Sequence, residues 1–320
     1  MSTIKLGLIG ASKWAELYHI PAIKALQHEE NVRIVGVWNR TRATAVSTAQ
    51  KYGIEKVYST LDIAVNDPCL DGFIVTIHQS MVGAVIEKVV KRGIPFLTEK
   101  PPGNDAAEAK RIAHQVAVSN VVAFNRRYCP LNQRFKEIVD QMGNVYFTEC
   151  HFYRHERLYK NFVIATGIHG INYLEFLFGE IVNLQTERWP NPQNDTFLWV
   201  SSICFASGVK GIIKFFPCSG SSIERYEVHS NNTSAYLKSA QHFTTDAPGE
   251  IVVYKKMEPE RIIESPQNEL PLAGSGYLNL YKDFLRAVRR NTPTLSNFGN
   301  AWRSMVVAES IEKGEPLPQP

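Results

Sequence analysis

Three things are scarce in this 320-residue sequence: paired cysteines, an excess of one charge, and long apolar runs. The five cysteines, Cys69, Cys129, Cys150, Cys204 and Cys218, are odd in number, widely spaced and free of any C-x-x-C pair. They imply neither a disulfide framework nor a zinc ribbon, and a reducing cytoplasm is the expected setting. The net charge is only +4 and its contributors are scattered, which leaves no electrostatic footprint for nucleic acid and no polybasic patch for a membrane. The apolar opening, residues 4–11, is too short to span a bilayer and lacks the flanks of a cleaved leader. There is no internal repeat, low-complexity tract or long linker. What is present is a chain 44% hydrophobic and 21% charged, too long for one typical core, so two domains are expected. By elimination the partner is a small molecule.

Residues 1–125 alternate short β-branched runs with helical stretches, as βαβ units around a parallel sheet do. Strands are expected over 5–10, 33–38, 56–58, 72–77, 95–98 and 121–124, with helices over 14–26, 43–52, 81–92 and 105–118. The strands read as continuous apolar runs, which suits strands covered on both faces. Beyond Asn125 the texture changes: a helix over 131–141, a long strand over 145–155, an irregular stretch, and a helix over 169–178. Alternating segments then run from 181 to 254, such as 197–205 and 209–216 about Ser207-Gly208, and predict an antiparallel sheet. Two helices, 277–290 and 298–313, close the chain. The expected class is α/β, with a doubly wound parallel domain over 1–125 and an α+β domain over 126–320 built on a large, mostly antiparallel sheet. A cleft is expected between the two halves.

The first strand-to-helix turn reads Gly7-Leu8-Ile9-Gly10-Ala11-Ser12-Lys13-Trp14-Ala15. In a dinucleotide fold such a turn brings backbone N–H groups to a pyrophosphate at a helix N-terminus, which requires small residues. Counted from Gly10, Ser12 stands at the middle glycine of G-x-G-x-x-G/A and Ala15 at the last, so Gly10, Ser12, Lys13, Trp14 and Ala15 are candidate cofactor contacts. The second strand ends in Asn39-Arg40-Thr41-Arg42. The acid that an NAD-preferring site carries there is missing, whereas Asn39 keeps a hydrogen-bonding group for the ribose and Arg40 and Arg42 suit a 2′-phosphate. NADP(H) is therefore expected over NAD(H). Thr76, Ile77 and His78, at the end of the fourth strand, and Glu99 and Lys100, after the fifth, complete this set.

The fifth strand ends in Thr98-Glu99-Lys100-Pro101-Pro102. Carboxyl ends of strands in a doubly wound sheet face the ligand crevice, so Glu99 and Lys100 project where a nicotinamide and its substrate meet; Pro101 permits a cis peptide. Together with Asn125-Arg126-Arg127-Tyr128, Gly167-Ile168-His169-Gly170-Ile171-Asn172 and Phe178-Gly179-Glu180, these residues resemble the Gfo/Idh/MocA oxidoreductases along essentially the whole chain. The resemblance implies a Rossmann domain followed by a sheet domain often used for oligomerisation, hence a homodimer or homotetramer. It implies hydride transfer at a hydroxyl or carbonyl carbon of a sugar-like or cyclic substrate. Lys100 matches the family's active-site lysine and His169 its catalytic histidine. That assignment is chemically sensible, because hydride transfer at such a carbon needs proton transfer at its oxygen and histidine titrates near neutrality.

Departures from the family pattern Asp-x-Gly-x-His-x-x-Asp are Ala165 and Asn172, where both aspartates are gone. They argue against a plain inositol-type or glucose-type substrate and keep a second reading open, a non-catalytic dinucleotide sensor on the same fold. A tetrapyrrole reductase is a narrower alternative. Another departure is Thr76-Ile77-His78-Gln79-Ser80-Met81, in place of Thr-Pro-Asn followed by a histidine. The stretch from Phe152 to Lys160 is rich in cations and aromatics: Arg154, Arg157 and Lys160 suit an anionic substrate group, and Tyr153 or Tyr159 a ring face. The expected substrate contacts are thus Lys100, Tyr128, Arg154, Arg157, His169 and Asn172. His151 and His155 share a strand face without a carboxylate or thiol set around them, so no metal is expected.

Overall fold

The apolar run that opens the chain becomes β1 (Ile4–Ile9), buried except at Lys5. In the computed structural model, which describes residues 2–158, 160–239, 241, 243–265 and 271–318, β1 lies inside a six-stranded sheet. Its neighbours are β2 (Val32–Trp38), β3 (Lys56–Val57), β4 (Gly72–Val75), β5 (Phe96–Thr98) and β6 (Asn120–Val122), all parallel, in the order β3-β2-β1-β4-β5-β6. The order reverses between β1 and β4, and a crevice for a ligand opens at the carboxyl ends of strands at such a switch point. The chain divides into two compact units, Met1–Phe124 with Tyr277–Trp302, and Asn125–Gly276 with Arg303–Pro320.

In the first unit the crossovers run through α1 (Ile20–Leu26), α2 (Arg42–Tyr52), α3 (Leu61–Val65), α4 (Val82–Arg92) and α5 (Ala106–Gln115). α2 and α4 end at Gly53 and Gly93, whose φ of +70° and +72° places them in the left-handed region that closes helices. The five-residue α3 escapes sequence reading because it is too short to show a period; it starts where Thr60 Oγ1 accepts from Ile63 N at 3.2 Å. The helix expected over 14–26 is not uniform either. Residues Ala15–His19 form a π-helical turn before α1. Tyr18, His19 and Ile20 are all buried, more successive inward residues than a 3.6-residue turn presents, and the wider turn accommodates them. α8 (Tyr277–Arg290) belongs to this unit and buries Tyr277, Leu280, Tyr281, Phe284 and Leu285, one stripe at helical spacing.

The second unit carries an eight-stranded sheet. Its strands are β7 (Phe147–Tyr153), β8 (Ile181–Pro190), β9 (Phe197–Phe205), β10 (Lys210–Phe216), β11 (Ile223–His229), β12 (Thr233–Lys238), β13 (Glu250–Lys255) and β14 (Glu258–Glu264). The order is β14-β13-β12-β11-β7-β10-β9-β8, antiparallel throughout except for the β7–β10 pair. The α/β class with a parallel and a mostly antiparallel sheet is therefore as expected. β7 alternates: Thr148, Cys150 and Phe152 are buried, while Phe147, Glu149, His151 and Tyr153 stand half-buried on the other face. The helices of this unit include α6 (Pro130–Gln141) and α7 (Ile168–Phe178), the latter preceded by a second π-helical turn, Val163–Gly167. The final helix is α9 (Phe298–Lys313).

Two carboxyls in the second unit hold their protons unusually well. Burial pushes Glu175, which accepts from Ser304 Oγ, up to about 7. It does the same to Glu312, although Val163 N and Ile164 N donate to that carboxyl. Unfolding frees both groups to ionise near 4.5, so between about pH 4.5 and 7 the folded chain binds more protons than the unfolded one and stability falls as pH rises. The melting temperature is expected to drop by at least about 3 °C between pH 5 and 7.5. In Glu175→Gln that decline becomes shallower; differential scanning calorimetry across the range checks it.

Candidate functional site

The glycine turn after β1 is held by backbone proximity. Gly10, at φ +94°, leaves no room for a side chain, because a Cβ there would lie 2.5 Å from the Thr76 carbonyl oxygen. Thr76 Oγ1 donates to Gly10 O at 2.6 Å, and Gly10 N donates to Trp38 O at 2.7 Å, joining the ends of β1, β2 and β4. Ala11 N donates to Asn39 Oδ1 at 3.1 Å, and Asn39 Nδ2 donates to Thr41 O. The asparagine amide thus braces the two loops against each other without bringing a negative charge. Ser12 Oγ accepts from Ala15 N at 3.1 Å and caps the π-helical turn, which leaves its hydroxyl proton available to a ligand.

A cavity of about 180 Å³ opens beside this turn, lined by Ser12, Trp38, Asn39, Arg40, Thr76, Ile77, His78, Met81 and Val85 among others. It combines apolar walls with a cationic rim, the character an adenosine-and-phosphate ligand needs. Of the expected cofactor residues, Ser12, Asn39, Arg40, Thr76, Ile77 and His78 line it. Arg40, Arg42 and Lys13 are exposed, and among the described residues neither Arg40 nor Arg42 forms an ion pair. His78 turns its Nδ1 to Ser80 Oγ. Trp14 is partly exposed and donates from Nε1 to Tyr277 OH at 2.8 Å, so its indole nitrogen is tied into the fold; Ala15 is buried.

At the end of β5 the Lys100–Pro101 peptide is cis. Glu99 accepts at Oε2 from Lys100 N at 3.2 Å and pairs at Oε1 with His19 Nε2 at 2.8 Å. His19 was not singled out by sequence: an isolated histidine among apolar residues reads as a core residue, and no motif marks it. Yet it is fully buried against the strand end that carries Lys100.

In the second unit His169 is buried on the first turn of α7. Gly167 and Gly170 let this segment lie flush on the sheet. A Cβ on Gly167 would stand 2.8 Å from the Phe215 ring, and one on Gly170 3.0 Å from the Phe152 ring. These two contacts explain the glycines around the histidine by packing alone. Asn172 is buried: Oδ1 accepts from Arg127 Nε at 2.6 Å and Nδ2 donates to Ser304 Oγ at 2.9 Å. Its amide is engaged in the framework of α7. Burial lowers Arg127 to about 10.

Arg154 is likewise committed to the framework. It and Arg126 both bond Glu224, Arg126 through Nε at 2.9 Å, and both guanidinium groups lie over the Phe243 ring, at 5.3 and 5.6 Å from its centroid. All three ionic groups are buried. Burial alone would raise Glu224, but the two arginines outweigh it and hold the carboxyl below its ordinary value. Tyr128 is buried, whereas Arg157 and Lys160 are exposed. Tyr153 points to the other face of β7 from Arg154 and stacks on Phe216 at 4.4 Å. Tyr159 lies outside the described residues. His151 bonds Glu149 on the sheet and His155 bonds Ser219 O beyond the strand end.

Residues 4–126 match the family model described as "Oxidoreductase family, NAD-binding Rossmann fold", the Gfo/Idh/MocA model. A Saccharomyces cerevisiae protein is 29% identical over 150 residues, 45% of this chain and 42% of its own. The rhizopine catabolism protein MocA of Rhizobium meliloti is 27% identical over 218 residues, 66% of this chain and 65% of its own. The matched stretches therefore span about half of these relatives on average. Levoglucosan dehydrogenase, solved in complex with NADH, shares the fold over 100% of both chains at a TM-score of 0.85 and 16% identity. The Rossmann module over residues 4–126 is thus similar to that of the Gfo/Idh/MocA oxidoreductases, and the chain as a whole shares its fold with levoglucosan dehydrogenase.

Proposed function

We propose that the chain is an NADP(H)-dependent oxidoreductase that transfers hydride at a hydroxyl or carbonyl carbon of a sugar-like or cyclic small molecule. The observation that carries the cofactor choice is the adenosine-side cavity, where Asn39 replaces an acid and exposed Arg40 stands at the rim. A 2′-phosphate meets the planar Arg40 cation there, and among the described lining residues there is no carboxylate to repel it. The turn fits a dinucleotide: Gly10 is bare where backbone must approach closely, and Ser12 keeps a hydroxyl proton to give. The nicotinamide supplies the hydride chemistry when bound. Lys100 polarises the substrate oxygen, and His169 exchanges the proton that hydride transfer requires. Ala165 removes the carboxylate that would raise the histidine's basicity, which favours the reduction direction with His169 as an acid.

The half-buried aromatic face of the eight-stranded sheet, with Tyr153 on Phe216 and Tyr236 edge-on to Tyr254 at 6.0 Å, supports a second copy of the chain as partner in a homodimer or homotetramer. The five free cysteines suit a reducing cytoplasm. Loss of both aspartates favours one other reading, a dinucleotide sensor without turnover. Stoichiometric NADPH binding with no turnover across a panel of sugars, cyclitols and ketones would decide for it.

Lys100→Ala and His169→Ala are each expected to lower kcat at least about tenfold while NADPH affinity changes by less than about threefold, read by steady-state kinetics and nucleotide fluorescence. Arg40→Asp should weaken NADPH at least about tenfold and leave NADH unchanged or tighter; titration calorimetry with both nucleotides checks it, and a wild type that prefers NADH refutes the cofactor assignment. Light scattering is expected to give a dimer or tetramer mass, and a monomer at micromolar concentration overturns the partner assignment.

A further inference from the structure

His19 ties together three parts of the first unit. It is the last residue of the π-helical turn that follows the glycine turn, and its ring is wholly buried. Nε2 lies 2.8 Å from Glu99 Oε1, and Nδ1 lies 2.7 Å from the hydroxyl of Tyr281 on α8. Tyr277 and Tyr281 also flank the imidazole edge-on, with centroids 5.6 and 5.8 Å away. The directions of these bonds follow from chemistry. With Nε2–H donating to the Glu99 carboxylate, Nδ1 of that tautomer is the acceptor and the Tyr281 hydroxyl donates to it. Burial, and next the charge of Glu99, raise Tyr281 well above the ordinary tyrosine value, so its proton is present to give. Donation runs from Tyr281 to His19 to Glu99, and the second oxygen of Glu99 receives the Lys100 backbone N–H at 3.2 Å. Both carboxylate oxygens are thereby held, one by the helix of the cofactor turn and one by the peptide of Lys100.

We propose that His19, oriented by Tyr281, is a positioning residue that locks Glu99 and through it the Lys100 peptide relative to the cofactor turn. The proposal rests on the reading of Lys100 as the residue that holds the substrate oxygen. An imidazole there does more than fill space, since a leucine of similar size neither donates to Glu99 nor accepts from Tyr281. Glutamine offers a carbonyl acceptor to Tyr281 and an amide donor to Glu99 without a titrating ring.

The test compares full-length His19→Leu, His19→Gln and Tyr281→Phe, with thermal melts to verify folding. Amide hydrogen exchange at Lys100, followed by two of its neighbours Pro101 and Pro102 that carry no amide proton, reads the lock without any turnover. Exchange is expected to quicken at least about tenfold in His19→Leu, less in Tyr281→Phe, and to return near the wild-type rate in His19→Gln. kcat should follow the same order, with NADPH affinity changed by less than about threefold. Equal protection in the leucine and wild-type proteins overturns the proposal, as does altered exchange with unaltered kcat. If His19→Leu does not fold, Tyr281→Phe against His19→Gln decides by the same two readouts. A wild type without turnover refutes the functional reading instead, and the exchange pattern then still decides whether His19 governs the Lys100 peptide.

Discussion

At the carboxyl ends of β1 and β4 the main chains of Gly10 and Thr76 come so near that a methyl group on residue 10 would lie 2.5 Å from a carbonyl oxygen. The Thr76 hydroxyl closes that approach by donating to Gly10 O. The rest of the first unit builds on this seam. It sets where Ala11 meets Asn39, where Ser12 caps the following turn, and so where Tyr18 and His19 enter the interior. Glycine is required at position 10 both for the positive φ and for the contact itself. An alanine there would separate β1 from β4 at the point where the strand order reverses, and with it the crevice a dinucleotide would occupy.

The second unit solves a different problem, that of placing cations in a helix-covered sheet. Gly167 and Gly170 bring α7 onto Phe215 and Phe152, which leaves Arg127 buried beside Asn172. Asn172 accepts from that guanidinium at its amide oxygen and its backbone carbonyl but brings no countercharge. The nearby acid, Glu175, sits three residues further along α7 and is itself raised to about 7 by burial. Arg126 and Arg154 share Glu224, and the Phe243 face offers both guanidinium groups its electron density. Buried ionic groups of this kind contribute little net stability, yet removing one partner leaves the others uncompensated.

Much of the architecture was legible from local pattern. The apolar strand runs, the turn at Gly10, the hairpin about Ser207-Gly208 and the stripe of α8 are all properties of neighbouring residues. The first π-helical turn was not, since it arises where Tyr18, His19 and Ile20 must all face inward. In the candidate site, Ser12, Asn39, Arg40 and Thr76 lie together because they end adjacent strands, as a βαβ reading requires. Arg154 reads from sequence as a cation next to aromatics; whether it faces a ligand or an internal acid depends on Glu224, 70 residues away.

The division between sequence and tertiary structure follows the range of the forces involved. Apolar periodicity, the need for glycine at a tight turn, the missing acid after β2 and the Glu99-Lys100-Pro101 strand end act over a few residues, so the sequence by itself determined the parallel fold and marked the strand ends at which a ligand is expected. Only the folded chain decided that Tyr281, 262 residues from His19, would orient that imidazole, and that Asn172 would bond Arg127. Such contacts depend on the packing of whole helices against a sheet, a sum of many small burial terms that no local pattern records.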